Sequence, residues 1–219
     1  MAATRWKFFF DIVCPNSWVS FKALQGKQMQ SVMDHIELVP ICDVKLHLIR
    51  TYEWRMRRKR RHEIPESEYP TTLLPPKTIQ DNAAEDYALP SDWSEIYSSL
   101  SNKRSILPAI FLSSVKKHCP QHFLRSVHVV GERIWEARKP VHKGAHLFTC
   151  AREAGLAFRD TEEIIARLSS VEARKLLHDS SEDALRLGAS SAPFFAVTDT
   201  EVTTTFDNYQ YFKRCVLGS

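Results

Sequence analysis

The spacing of apolar residues along the first forty positions changes twice. Residues 6–13 (WKFFFDIV) are almost continuously apolar, which is typical of a central strand covered on both faces. From Trp18 to Met33 the apolar residues fall at helical spacing, and Pro15 suits the first position of that helix because its missing N–H costs nothing there. Residues 36–41 (IELVPI) form a second short apolar run. The order strand, helix, strand predicts a βαβ unit with a right-handed crossover.

The middle of the chain, from about residue 43 to residue 188, has helical spacing and no convincing strand. Residues 145–154 predict one of its helices, and Gly155 suits the C-terminal cap of that helix. Ser180 followed by Asp183 predicts the start of a later helix. A helical block of this length between segments of β character indicates an insertion.

The pattern returns to short strands near the end of the chain. Residues 194–197 and 202–206 predict two strands joined by a turn, and Asp207 is expected to cap the N-terminus of a final helix. These strands must complete the sheet that the first segment began, so the fold class is α/β (βαβ … ββα) with a large all-helical insertion. The expected domains are an α/β domain of residues 1–42 and 189–219 and a helical insertion domain of residues 43–188.

Composition and charge limit the class of protein. No apolar run in the 219 residues approaches the roughly 18 positions of a membrane span, so we expect no membrane segment. The few residues before Trp6 leave no room for a removable presequence, which predicts a protein that is not secreted. Much of the net charge of +4 comes from residues 55–62 (RMRRKRRH). This run supports a competing hypothesis, a non-catalytic protein that binds nucleic acid or a partner, although we favour a solvated helix face.

The five cysteines are widely spaced and include no C-x-x-C pair. This spacing predicts free thiols in a reducing compartment, and no pair has the short separation of zinc ligands, so we expect no metal. Four of the five have apolar neighbours and are interpreted as small buried hydrophobic residues; they are Cys42, Cys119, Cys150 and Cys215. Cys14 is the exception.

Cys14 opens the sequence C-P-N-S at the junction of the predicted strand and helix. Ligands bind at the carboxyl ends of strands in open α/β sheets, and the N-terminus of a helix favours an anion. We therefore expect a thiolate at Cys14 with a pKa below its usual value of about 8.5, and a buried structural cysteine is the alternative. Ser17 stands where a redox motif would carry its second cysteine, which excludes dithiol oxidation within this motif.

A second segment, S-S-A-P-F at residues 190–194, places a proline directly before a strand, where proline is tolerated. If the bond between Ala192 and Pro193 is cis, the backbone of Ala192 is expected to be unpaired and to face Cys14. It would then pair with a peptide-like ligand as an added strand does. A trans proline that opens an edge strand is the alternative.

These stretches resemble the thioredoxin superfamily with a helical insertion, and within it the kappa-class glutathione transferases and the related 2-hydroxychromene-2-carboxylate isomerases. Bacterial disulfide oxidoreductases with a C-P-x-C motif are more distant relatives. Residues 9–18 (FFDIVCPNSW) are similar to the kappa pattern F-Y-D-x-x-S-P-Y-S-W. Residues 133–135 (RIW) and 154–156 (AGL) are similar to the family's R-x-W and A-G-[LM] segments. Residues 188–207 are similar to its G-[AV]-x-G-x-P-[TF] loop and the hairpin that follows.

The resemblance implies a thioredoxin-like fold and a glutathione site. Cys14 takes the place of the kappa catalytic serine, which hydrogen-bonds the glutathione sulfur. The hydroxyl of Ser17, near the start of the helix, is expected to hydrogen-bond the sulfur or a backbone group. Ala192 corresponds to the residue before the cis-proline, Pro193, whose backbone pairs with the cysteinyl part of glutathione.

Three further positions are implied to hold the two ends of glutathione. Phe206 and Asp207 correspond to the pair that holds the γ-glutamyl group, with phenylalanine in place of the family's serine. The carboxylate of Asp207 suits an ammonium group. Lys77 corresponds to a lysine near the glycyl carboxylate.

The implied activity is that of a kappa-type glutathione transferase, in which a glutathione thiolate beside Cys14 attacks a small electrophile, with glutathione as co-substrate and no metal. The alternative is a glutathione-dependent monothiol oxidoreductase, in which Cys14 forms a mixed disulfide that a second glutathione releases. The family is usually dimeric, so a homodimer is expected, in the cytoplasm or the mitochondrial matrix. The chain ends in L-G-S and lacks the S-K-L pattern of peroxisomal proteins.

Overall fold

The computed structural model describes residues 4–61, 87, 89–102, 106–200 and 202–218. Its centre is a four-stranded sheet in the order β2-β1-β3-β4. The strands are β1 (Arg5–Phe10), β2 (Ile36–Pro40), β3 (Phe194–Asp199) and β4 (Val202–Phe206). The first two strands come from the beginning of the chain and the last two from its end, so the two ends complete one sheet as predicted.

Strand directions bring four strand ends to one edge of the sheet. β1 runs parallel to β2, with Phe10 opposite Pro40, and antiparallel to β3. β3 and β4 form an antiparallel hairpin in which Phe195 lies opposite Phe206. The ends of β1, β2 and β4 and the beginning of β3 therefore share an edge, which is where ligands bind in sheets of this kind.

Ten α-helices accompany the sheet within the described residues. α1 and α2 connect β1 to β2, α3 to α9 form the described part of the insertion, and α10 follows β4. Their bounds are α1 (Pro15–Leu24), α2 (Gln30–Met33), α3 (Asp43–Arg61), α4 (Trp93–Asn102), α5 (Ile106–His118), α6 (Phe123–Trp135), α7 (Gly144–Glu153), α8 (Phe158–Arg167), α9 (Val171–Arg186) and α10 (Tyr209–Leu217). The βαβ unit and the helical character of the described insertion are confirmed.

Two boundaries near the start of the chain differ from the predicted ones. β1 ends at Phe10 and not at Val13, because the carbonyl of Asp11 accepts the N–H of Cys14 at 2.9 Å and turns the chain. The helix predicted to run to Met33 stops at Leu24. An extended residue, Gly26, and one short 3-10 turn then lead into α2.

Two predicted helix starts are wrong. Ser180 lies inside α9, where its hydroxyl donates to the carbonyl oxygen of Pro40 at 2.8 Å and so ties α9 to β2. Asp207 does not cap α10. Asn208 does, because its Oδ1 accepts the N–H of Gln210 at 2.7 Å and satisfies a free donor of the first turn.

The insertion packs closely against the first helix and the loop that precedes it. Trp18 of α1 lies on Gly131 of α6, where an added Cβ atom would be 2.1 Å from the indole ring. Trp135 at the end of α6 donates its indole N–H to the carbonyl oxygen of Ile12 at 3.1 Å, and both Trp side chains are fully buried. A glycine is therefore required at position 131, and α6 holds the loop after β1 in place.

All five cysteines are free thiols. Cys42, Cys119 and Cys150 are buried as expected, whereas Cys215 is exposed because α10 turns Tyr209 and Phe212 toward the core. Within the described residues no group of three side chains could hold a metal ion. None of the described helices has the length and apolar character that crossing a membrane requires.

The basic run at residues 55–62 continues α3 as far as Arg61. Most of its side chains, and the whole of residue 62, lie outside the described residues. The choice between a solvated helix face and a nucleic-acid surface therefore stays a prediction.

Candidate functional site

Cys14 lies where the sequence places it, between β1 and α1. Its backbone is extended (φ −78°, ψ 122°), and the helix begins at the next residue, Pro15. Its thiol is buried and donates to the carbonyl oxygen of Ala192 at 3.4 Å. The bond between Ala192 and Pro193 is cis. The two segments that the sequence singled out therefore meet at one edge of the sheet.

The backbone of Ala192 is paired within the protein, which corrects the expectation of a free pairing edge. Its N–H donates to Oδ1 of Asp43 at 2.7 Å, and its carbonyl oxygen accepts the thiol of Cys14. Asp43 is the first residue of α3, just beyond the end of β2. The acidic side chain of Asp43, which follows β2, therefore takes the place that a ligand carbonyl would take beside Ala192. A peptide-like ligand has to displace both side chains before it can pair there.

The pKa of Cys14 is raised and not lowered, which corrects the expectation drawn from the helix N-terminus. Burial is the largest cause, and the nearby carboxyl groups of Asp43 and Asp11 act in the same direction. The N–H and hydroxyl of Ser17 lower this pKa without compensating for burial. The resting side chain of Cys14 is therefore a protonated thiol that donates a hydrogen bond.

Two aspartates that sequence reasoning did not select share this pocket. Asp11 is buried, and its carboxylate accepts the N–H of Val13 and the N–H of Asp43, both at 3.0 Å. Burial raises the pKa of Asp11 to about 6. Burial, together with repulsion from Asp11, raises the pKa of Asp43 to about 8. At neutral pH the pair therefore shares about one proton. Their position just after two parallel strands is the signal that could have found them.

Asn16 and Ser17 lie in the first turn of α1, and both are buried. The N–H of Asp11 donates to Oγ of Ser17 at 3.3 Å, so this hydroxyl bonds a backbone group, which is one of the two roles expected of it. Oδ1 of Asn16 is buried and has no hydrogen-bond partner in the described chain. A buried unpaired oxygen is unfavourable, and an N–H group of a bound ligand would satisfy it.

Of the three positions expected to hold the ends of glutathione, the structure describes two. Phe206 ends β4 opposite Phe195, and Asp207 follows it as an exposed residue. Lys77 lies outside the described residues. One cluster is formed by Cys14, Ser17, Ala192 and Pro193, and Phe206 and Asp207 lie at the same edge of the sheet.

Comparison with solved structures identifies the fold. A protein from Nitrosomonas europaea described as a disulfide isomerase matches with a TM-score of 0.57 at 12% identity, over 99% of this chain and 97% of its own. A protein from Streptomyces coelicolor described as a DsbA oxidoreductase matches with a TM-score of 0.55 at 15% identity, over 99% and 89%. The cytosolic disulfide reductase DsbM from Pseudomonas aeruginosa matches with a TM-score of 0.54 at 13% identity, over 98% and 97%.

The chain has a thioredoxin-like fold. This confirms the predicted fold class, with its helical insertion, over almost the whole chain. No family model and no curated protein sequence matches the chain. At identities of 12% to 15% the likeness concerns the fold, and the activities in those descriptions belong to those proteins.

Proposed function

We propose that this protein is a glutathione-dependent thiol–disulfide oxidoreductase whose reactive atom is the sulfur of Cys14. The observation that carries the proposal is the position of that sulfur. It lies at the start of α1, 3.4 Å from the carbonyl oxygen of Ala192, at the ligand-binding edge of a sheet. Solved structures with this fold include proteins described as a disulfide isomerase and a disulfide reductase.

The reaction requires Cys14 to lose its proton. Asp11 and Asp43 share about one proton at neutral pH, so the pair offers one ionised carboxylate that can accept the proton of the thiol. The thiolate attacks one sulfur of a substrate disulfide and forms a mixed disulfide with it. The other half leaves as a thiolate that takes up the proton the acidic pair accepted. Ser17 cannot attack this mixed disulfide, so glutathione does so and releases Cys14.

A bound peptide or glutathione would exchange bonds with groups that the resting protein satisfies internally. The ligand carbonyl would take the N–H of Ala192 from Asp43, and a ligand N–H would take the carbonyl of Ala192 from Cys14. A second ligand N–H would satisfy Oδ1 of Asn16. Binding thereby frees the thiol of Cys14 from Ala192 at the moment when a substrate is present.

A kappa-type glutathione transferase is the second candidate, and the protonated state of Cys14 favours it. Burial and the carboxyl groups nearby raise the pKa of Cys14, so at neutral pH it is a thiol that donates a hydrogen bond. That state would steady a glutathione thiolate, as the serine of the kappa enzymes does, while the glutathione sulfur attacks an electrophile. Cys14 forms no covalent bond in this reaction.

Two assays with two variants separate the candidates. Glutathione-dependent reduction of a small mixed disulfide measures the oxidoreductase, and conjugation of glutathione to an aryl halide measures the transferase. An oxidoreductase should lose the first activity in both Cys14→Ser and Cys14→Ala. A transferase should keep the second activity in Cys14→Ser, whose hydroxyl also donates, and lose it in Cys14→Ala. A wild-type protein that has neither activity and shows no thermal shift with glutathione refutes both candidates.

A further inference from the structure

The C-P-N-S motif has no second thiol, but β2 brings another cysteine to the same edge of the sheet. β1 and β2 are parallel neighbours, with Phe10 opposite Pro40, and the N–H of Ile41 continues the ladder to the carbonyl of Phe10 at 2.9 Å. Neighbouring strands are about 4.8 Å apart. Cys14 lies four residues beyond the end of β1 and Cys42 two residues beyond the end of β2, so both follow strand ends at this edge. Each is only 2% exposed.

Two short routes of contact join Cys14 to Cys42 and to the residue after it. Along the first route, the carbonyl of Asp11 accepts the N–H of Cys14 at 2.9 Å, and its carboxylate lies within hydrogen-bonding reach of the thiol of Cys42. Along the second, Asp43 accepts the N–H of Ala192, whose carbonyl accepts the thiol of Cys14. Each route passes through one residue, so both thiols belong to the same acidic pocket.

We propose that Cys42 is the resolving cysteine of this site, a role that rests on the thiol–disulfide exchange proposed above. Once Cys14 is joined to a substrate, its sulfur has no proton to donate to Ala192, and the side chain is free to turn toward Asp11. The thiol of Cys42 gives its proton to the carboxylate of Asp11, and the resulting thiolate attacks the sulfur of Cys14. A Cys14–Cys42 disulfide forms, and the substrate half leaves as a thiolate that takes up the proton from Asp11 and restores its carboxylate.

The electrons balance over this cycle. The substrate disulfide gains two electrons and becomes two thiols, and the two cysteines lose two electrons as their disulfide forms. One glutathione then opens that disulfide as a mixed disulfide, and a second leaves with the first as glutathione disulfide. Glutathione remains the reductant. Cys14 and Cys42, which follow neighbouring strands, together form the dithiol that the C-P-N-S motif alone lacks.

The test maps the disulfides that form when the reduced full-length protein is treated with excess glutathione disulfide. The reaction is quenched in acid, remaining thiols are alkylated in denaturant, and the peptides are identified by mass spectrometry without reduction. We expect a Cys14–Cys42 linkage as the main product in the wild type. Cys42→Ser and Cys42→Ala should instead retain one glutathione on Cys14. Cys150→Ser, which alters a different buried cysteine, should behave as the wild type does.

The other outcomes overturn the inference in distinguishable ways. A wild-type protein that keeps glutathione on Cys14 while Cys42 is alkylated refutes the resolving role and leaves the proposed exchange standing. A linkage from Cys14 to any other cysteine also refutes it. A wild type and a Cys42→Ser variant that both lack any disulfide at Cys14 refute the exchange as well as the resolving role. The wild-type map is decisive even where a variant fails to fold.

Discussion

Replacing Asp43 by asparagine should make the stability of the protein less dependent on pH. The carboxyl group of Asp43 accepts the N–H of Ala192, and the amide oxygen of asparagine can accept the same bond. The substitution therefore keeps the contact and removes the ionisation. Burial and repulsion from Asp11 raise the pKa of Asp43, so the folded state disfavours the ionised form of this side chain.

The magnitude follows from the difference between the folded and unfolded pKa values of Asp43. The pKa of this carboxyl group is 3.8 in the unfolded chain and about 8 in the folded protein. Between these values the unfolded chain has lost a proton that the folded chain keeps, so stability falls as the pH rises. From about pH 5 to about pH 8 this amounts to about 3 to 4 kcal/mol at about 1.4 kcal/mol per pKa unit. Asp43 is only partly buried, and its contact with solvent reduces the expected value to about 2 to 3 kcal/mol.

The assay is urea unfolding of the wild type and Asp43→Asn at several pH values across this range. The free energy of unfolding of the variant, minus that of the wild type, should rise by about 2 to 3 kcal/mol from about pH 5 to about pH 8. The raised pKa of Asp11 also makes the free energy of unfolding fall across this range, but it does so in both proteins. Asp179→Asn, which alters a half-exposed partner of Lys175 on α9, should leave the slope of the wild type unchanged. Parallel curves for the wild type and Asp43→Asn would refute the account of the acidic pair.

Three further substitutions test the packing and the ligand site. Gly131→Ala should lower the free energy of unfolding by about 1 to 3 kcal/mol, because the new methyl group overlaps the ring of Trp18. Gly144→Ala is the control, because that position has room for a methyl group and the free energy of unfolding should change little. Trp135→Phe should cost about 1 to 3 kcal/mol in urea unfolding, because it leaves a buried carbonyl of the loop after β1 unpaired; an unchanged value would contradict that role. The proposed glutathione site is expected to give the wild type a thermal shift with glutathione, and Asp207→Ala should abolish it. A shift of equal size in the variant would show that Asp207 does not hold the ligand.

The position of Cys14 could be predicted because its signals are local. An apolar run, a cysteine and a proline in succession place a strand end next to a helix start, whatever the rest of the chain does. The meeting of Cys14 with Ala192 followed from the requirement that the last strands complete the first sheet. The bounds of β1 did not follow, because the turn that ends it depends on the carbonyl and carboxylate of Asp11.

The acidity of the pocket could not be predicted in the same way. An aspartate after a strand and before a helix is an ordinary residue at a helix N-terminus, and nothing near Asp43 in the sequence points to Ala192, 149 residues away. The lowered pKa expected for Cys14 considered only the helix that begins beside it. Burial and two carboxyl groups from neighbouring strand ends outweigh that helix. The pKa of Cys14 could therefore be predicted only from the three-dimensional arrangement of these groups.

The resting site is closed by its own side chains, and this links reactivity to ligand binding. The thiol of Cys14 and the carboxyl group of Asp43 satisfy the carbonyl and the N–H of Ala192, so neither of these backbone groups is left unpaired. A ligand that supplies one carbonyl and one N–H at Ala192 satisfies the same two groups, and it frees the thiol and the carboxyl group together. In the proposed exchange, the freed thiol then passes its proton to the ionised carboxylate of the acidic pair. A cysteine that burial keeps protonated is therefore compatible with thiol chemistry, provided that the substrate itself releases it.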